Sequence, residues 1–114
     1  MNPPIPEPGV NELCMLVLNI APALEEDLID YLLTHDAVDG FTSCTVYGHG
    51  QHHGLSTAEQ VTGKRKRLQY QMLVSAQSVP GILAGLATSV GLDIVYWQQA
   101  VSNFGRPTQG SVLR

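Results

Sequence analysis

The stretch VYGHGQHHG, residues 46 to 54, places His49, His52 and His53 among Gly48, Gly50 and Gly54. Imidazole nitrogens suit borderline metals such as zinc, copper and nickel. A His-x-x-His-His spacing on a glycine-rich loop can bring two rings onto one ion. A closed zinc site wants about four ligands, and neither Cys14 nor Cys44 lies in this loop. The glycines offer a second chemistry, since they permit positive φ or close approach of the backbone to a ligand. A third belongs to the run Lys64, Arg65, Lys66 and Arg67. In an extended chain Lys64 and Lys66 point opposite to Arg65 and Arg67. One such pair can meet a phosphate or carboxylate in a cleft between subunits. Each reading has a plain alternative. The histidines can belong to a solvated loop or contact an anion or partner, and the basic run can be a charged strand start that guards a sheet edge.

Other chemistry is missing. No Gly-x-Ser-x-Gly motif and no Cys–His pairing occurs in the 114 residues. Asp27 and Asp30 fall on an exposed helix face, which reads as solubility, so no enzyme is expected. The formal charge of -4 argues against a nucleic-acid binder, whose affinity comes from neutralising many phosphates. The two cysteines sit in apolar, strand-like runs and read as reduced core residues. The opening MNPPIPEPGVNEL has neither the basic nor the apolar region of a signal peptide. The apolar run Leu13 to Leu18 is far short of the ~20 residues that span a membrane. The expectation is a soluble, cytoplasmic protein that is not inserted in a membrane.

The elements that would position these residues follow from periodicity. Residues 1–11 are a proline-rich, flexible lead-in, 12–104 a single domain, and 105–114 a loose tail. Leu13 to Ile20 is a continuous apolar run, as in a strand buried on both faces. Leu24, Leu28, Tyr31 and Leu32 then make one helical stripe. Pro22 suits the first turn, and Glu25, Glu26 and Asp27 suit the positive end of the dipole. This helix should stop near Asp36, with His35 at its negative end. Phe41 to Gly48 reads as strand two and Arg67 to Ala76 as strand three. Between them, residues 48–66 hold glycines and no apolar period, as in a long functional or disordered loop. A second helix runs from Val79 to Gly91 with Val79, Leu83, Leu86 and Val90 as its stripe, and Gly91 is its C′ residue. Leu92 to Phe104 reads as strand four, with Tyr96 and Trp97 on opposite faces in core or intersubunit packing.

The order β-α-β-β-α-β predicts an α+β, ferredoxin-like sandwich: two helices over one face of a four-stranded antiparallel sheet. The other sheet face stays open, although strand one is apolar at each position from Leu13 to Leu18. An exposed apolar face of that size is a partner surface, so a homo-oligomer with sheets packed inward is expected.

With that order in place, Ala37 to Gly54 resembles the end of helix one, strand two and the base of the T-loop in the PII-type signalling proteins. The shared positions are Gly40, Phe41, Thr42, Val46, Gly48, Gly50 and Gly54, and element order and length extend the resemblance to residues 12–104. It implies a homotrimer with T-loops projecting from its body. It also implies ATP or ADP in clefts between subunits, and a partner, often a transporter or enzyme, that meets the loop. The chain departs from this pattern at several places, among them a shorter loop that has no tyrosine. The family's Gly-Asp-Gly-Lys type loop before strand four is replaced by SVGLD, and its late arginines have a candidate only in Arg106. Both tell against ATP or ADP. Its loop-base glutamine, which helps hold a metal and a 2-oxo acid, aligns with His52. The chain is therefore similar to degenerate PII-like proteins, some of which accompany heavy-metal efflux systems, and in architecture to the trimeric CutA proteins linked to copper tolerance. Two functions follow. One is a PII-like regulator sensing a small ligand or metal at the loop base, with Gly48, Gly50, Gly54 and Lys64 to Arg67 as its ligand-binding residues. The other is a CutA-like metal-tolerance protein with His49, His52 and His53 as ligands for zinc, copper or nickel.

Overall fold

The computed structural model describes residues 12–49 and 64–107. The expected sites Gly50, His52, His53 and Gly54, the lead-in 1–11 and the last part of the tail lie outside the described residues. Strand β1 spans Leu13–Ile20, β2 Thr42–His49, β3 Lys64–Ser75 and β4 Ile94–Ala100. They form one antiparallel sheet in the order β2-β3-β1-β4, the sheet of a ferredoxin-like sandwich. Helix α1 spans Glu25–Leu33 after a 3-10 turn at Pro22–Leu24. The second helical segment is split into α2, Val79–Ala84, and α3, Leu86–Ser89.

The central strands explain the core. Cys14, Leu16, Leu18 and Ile20 of β1 and Leu68, Tyr70, Met72 and Val74 of β3 face the helices. They bury against Leu28 and Leu32 of α1 and Val79, Ile82 and Leu86 of the second segment. Leu16, Leu18, Leu28 and Leu32 are wholly buried, and such side chains contribute about 1.5–3 kcal/mol each. The inner position of α2 is Ile82 rather than the expected Leu83, which is only partly buried. The reason lies at Gly85. A Cβ there would collide with the Tyr31 phenol, with ring Cε1 at 2.8 Å, and the Tyr31 hydroxyl donates to the Ile82 carbonyl at 2.6 Å. Closest approach to α1 thus falls at Gly85, the helix breaks there, and the buried stripe shifts with it.

Two ends differ from the sequence reading for physical reasons. Helix α1 stops at Leu33, where the Thr34 hydroxyl donates to the Asp30 carbonyl at 2.9 Å. His35 sits beyond it, and its Nδ1 accepts from the Ala37 amide at 3.2 Å, so the ring shapes the following turn instead of capping the helix. Strand β4 is shorter than expected because its neighbour β1 begins at Leu13; a last amide bond runs from Val101 to the Leu13 carbonyl at 3.3 Å. Gly91 holds the expected helix end. Its φ is +155° and its amide donates to the Leu86 carbonyl at 2.9 Å.

The opposite sheet face carries Leu13, Met15 and Val17 of β1, Leu73 of β3, and Val95 and Trp97 of β4, none of them in the helix-side core. Val17 is buried, whereas Val95 and Trp97 remain exposed. Leu13, Met15, Phe41, Leu73 and Phe104 line a hollow of about 470 Å³ on this side. Cys44 also opens here, on edge strand β2, so it is exposed instead of a core residue; Cys14 is buried, and both are free thiols.

Candidate functional site

Strands β2 and β3 pair from Thr42↔Gln71 out to His49↔Lys64, whereas the β1–β3 ladder ends at Ile20↔Leu68. Four pairs, Val46↔Arg67 to His49↔Lys64, therefore run beyond β1 as a two-stranded ribbon. At ~3.3 Å per residue the ribbon projects about 13 Å. Gly48, His49 and Lys64 to Lys66, expected in the 48–66 loop, belong to these strands. Charged residues with no apolar period read as loop, but a ribbon outside the sheet needs no buried face; its partner strand satisfies its amides. The connection left between the strands is 50–63.

The basic run divides as the extended chain requires. Arg65 and Arg67 lie on the open side of the sheet. Arg67 is buried, and its Nε donates to Asn19 Oδ1 at 2.7 Å and its Nη2 to the Asn19 carbonyl at 3.0 Å. Nη1 donates to Asp93 Oδ1 at 2.9 Å. Arg65 Nη2 donates to the other carboxylate oxygen, Asp93 Oδ2, at 3.2 Å. Asp93 thus spans both guanidiniums from the turn before β4, and Asn19 of β1 fixes the inner one. The basic run offered a pair able to meet a phosphate or carboxylate between subunits, with a plain charged strand start as the alternative; within this chain Arg65 and Arg67 meet the Asp93 carboxylate. Asp93 was missed as a site residue although it is the last letter of SVGLD. The usable signal was an acid at the very junction noted for lacking a lysine.

The other ribbon side carries Tyr47, His49, Lys64 and Lys66. Lys64 Nζ lies 4.6 Å from the centre of the Tyr47 ring, a favourable contact between a cation and an aromatic face. His49 is exposed and pairs across the ribbon with Lys64. It supplies one imidazole on a side shared with two ammonium groups. Among the described residues no three His, Cys, Asp or Glu side chains come together as a metal set. Gly48 is extended, and a Cβ there would meet the Arg65 carbonyl at an ordinary 3.9 Å. Neither positive φ nor crowding requires glycine at this position.

Tyr96 and Trp97 alternate faces as expected and both stay exposed. Burial, and secondarily the Glu12 charge, raises the Cys14 thiol above its ordinary pKa. Burial and then Glu25 do the same for the Tyr70 phenol. Both groups sit in the core, away from the ribbon. No described helix is long and apolar enough to cross a membrane.

Comparison with known proteins agrees with this fold. The family described as "Protein of unknown function (DUF3240)" matches residues 10–108. A crystal structure of a DUF3240 family protein from Shewanella baltica OS155 is similar with a TM-score of 0.69 at 18% identity, over 84% of this chain and 97% of that one. GlnK of B. subtilis, a PII protein, is similar in its ATP complex with a TM-score of 0.63 at 19% identity, over 82% of this chain and 84% of that one. A second B. subtilis GlnK structure gives 0.62 at 20% identity, over 82% and 89%. No curated protein matches the sequence. At these identities the likeness is one of fold, and at that level the resemblance to the PII-type proteins holds.

Proposed function

The chain belongs to the DUF3240 family, and from that premise, with a PII-type fold beneath it, we propose that it is a regulatory protein and not an enzyme. It assembles as a homotrimer with its open sheet faces inward and works in the cytoplasm. A small ligand or metal ion binds at the base of the β2–β3 connection and the cleft between subunits. The connection then engages a partner protein, for which a membrane transporter is the candidate. Gain or loss of order in such a segment is an established way to switch partners.

One observation carries this reading. The β2–β3 ribbon leaves the body of the sheet, and its root is tied to β4 through the Arg65–Asp93–Arg67 bridge. Whatever binds at that root acts on the stance of the ribbon. The uncovered apolar face with Val95 and Trp97 supports assembly. A GlnK structure is an ATP complex, but here SVGLD stands where the PII-type loop before β4 would bring a lysine to the phosphates. ATP and ADP are therefore not the proposed ligands.

Light scattering joined to titration calorimetry tests the proposal. The expected mass is three times the 12.3 kDa chain. Heat is expected with a small anion or with Zn²⁺, Cu²⁺ or Ni²⁺, together with altered hydrogen exchange at residues 64–67. A monomer, or binding that leaves those amides unchanged, would sink the proposal. Metal binding lost in His49→Ala with His52→Ala and His53→Ala, without any effect on the ribbon, would favour the CutA-like reading.

A further inference from the structure

We propose that Arg65 and Arg67 form an anion receptor whose resident occupant is the chain's own Asp93 carboxylate, and that a small soluble oxyanion exchanges with it. The inference takes from the regulatory reading only its consequence for the ribbon; the exchange itself stands on the geometry.

The two carboxylate oxygens are shared out, Oδ1 to Arg67 and Oδ2 to Arg65. A free carboxylate or phosphate would be held between two guanidiniums in the same way. The two arginines differ in their support. Arg67 has a side-chain exposure of 8% and is fixed by both acceptors of Asn19, so its fork is preorganised whoever occupies the receptor. Arg65 at 37% and Asp93 at 47% are reached by solvent. The Arg65–Asp93 pair is exposed on both sides and therefore weak, and an incoming anion that reaches it takes over the bond of the Asp93 carboxylate to Arg67 as well.

The backbone permits the exchange. Asp93 keeps its main chain in place by accepting the Ala21 amide at 3.2 Å, and the neighbouring Ile94 amide donates to Leu92 at 2.8 Å. The carboxylate can swing away by side-chain rotation alone. Charge favours an incoming dianion: two guanidiniums against one carboxylate leave the three groups at +1. Because Arg65 lies on the ribbon beyond β1 and Asp93 on the approach to β4, the exchange also unties the ribbon from β4, while Arg67 keeps its bonds to Asn19 of β1.

The test is calorimetric titration of the full chain with inorganic phosphate, pyrophosphate and succinate at low salt. An occupant present nine-tenths of the time lowers apparent affinity about tenfold. Asp93→Ala should therefore tighten binding of at least one of these anions about tenfold, and adding Arg65→Ala should abolish it. Tightening for the phosphates or for succinate tells the two sources apart. Asp93→Asn, which keeps the side-chain shape, serves if the alanine variant loses its circular-dichroism signal. Folded Asp93→Asn or Asp93→Ala that binds none of the three more tightly than the parent overturns the receptor. Hydrogen exchange at residues 64–67, read in the same samples, addresses the other reading. An anion that binds as expected without changing those amides refutes regulation through the ribbon and leaves the receptor standing.

Discussion

Arg65 and Arg67 touch the same carboxylate, yet their removal should differ severalfold in cost. Arg67→Ala deletes a buried guanidinium that donates to Asn19 Oδ1 at 2.7 Å, to Asp93 Oδ1 at 2.9 Å and to the Asn19 carbonyl at 3.0 Å. Hydrogen bonds to a charged group contribute about 1.5–3 kcal/mol each. Asp93 is half exposed and Asn19 partly so; both regain water when the arginine goes. A net loss of about 2–4 kcal/mol follows, near the value for breaking a buried pair. Arg65→Ala removes a solvent-reached partner at 3.2 Å and should cost about 0–1 kcal/mol. For a domain near this size 1 kcal/mol moves Tm by roughly 4–8 °C. The Arg67 variant should therefore melt on the order of 10–20 °C lower and the Arg65 variant a few degrees lower at most. Urea midpoints, taken at one protein concentration because assembly contributes to apparent stability, provide the measurement. Equal midpoint shifts in the two variants would refute the description of Arg67 as a buried, Asn19-fixed anchor with Arg65 as its exposed companion.

Gly85→Ala should destabilise by about 1–3 kcal/mol, because its Cβ meets the Tyr31 ring at 2.8 Å; an unchanged urea midpoint would mean that the two helical segments sit farther apart. Trp97→Arg should lower the mass seen by light scattering towards that of one chain while circular dichroism is kept, since Trp97 is exposed on the open face and not in the helix-side core; an intact assembly would remove that face from the interface. Cys44 should react with a thiol reagent faster than buried Cys14 in the native protein, and equal rates would contradict the burial of β1. Stability should fall as pH rises from about 9 upward. The Cys14 thiol and the Tyr70 phenol are raised in the folded chain above their ordinary 9.0 and 10.0. The unfolded chain therefore releases those protons first, and stability present below the unfolded values is lost above them. Urea midpoints between pH 8 and 11 read the effect, and Cys14→Ala should flatten the lower part of the slope.

The elements that could be read from the sequence are those whose burial writes a local pattern. Leu13–Ile20 is apolar at nearly each step and forms β1 between the same ends. The stripe Leu28 and Leu32 and the end signal Gly91 behave likewise. Where burial depends on a distant neighbour, the pattern misleads. Ile82 replaces Leu83 because Tyr31 crowds Gly85 from another helix. Cys44, in an apolar run, is exposed because β2 is an edge strand. Lys64 to Lys66 look like loop because they have no core to face, and become strand because β2 lies beside them.

The bridge at the root of the ribbon is the extreme case of such dependence. Arg67 and Asp93 are 26 residues apart, and no periodicity joins a basic run to a single acid that far away. What joins them is register. Ile20 pairs with Leu68 on one side and Ile94 on the other. The preceding residues of β3 and of the turn before β4, Arg67 and Asp93, must therefore flank Ala21 on the open side of the sheet. Given the β2-β3-β1-β4 order and those two apolar pairings, the meeting of opposite charges follows. The hydrophobic core thus sets the register, the register brings the charges together, and the occupant of the two arginines is decided by residues that touch none of them.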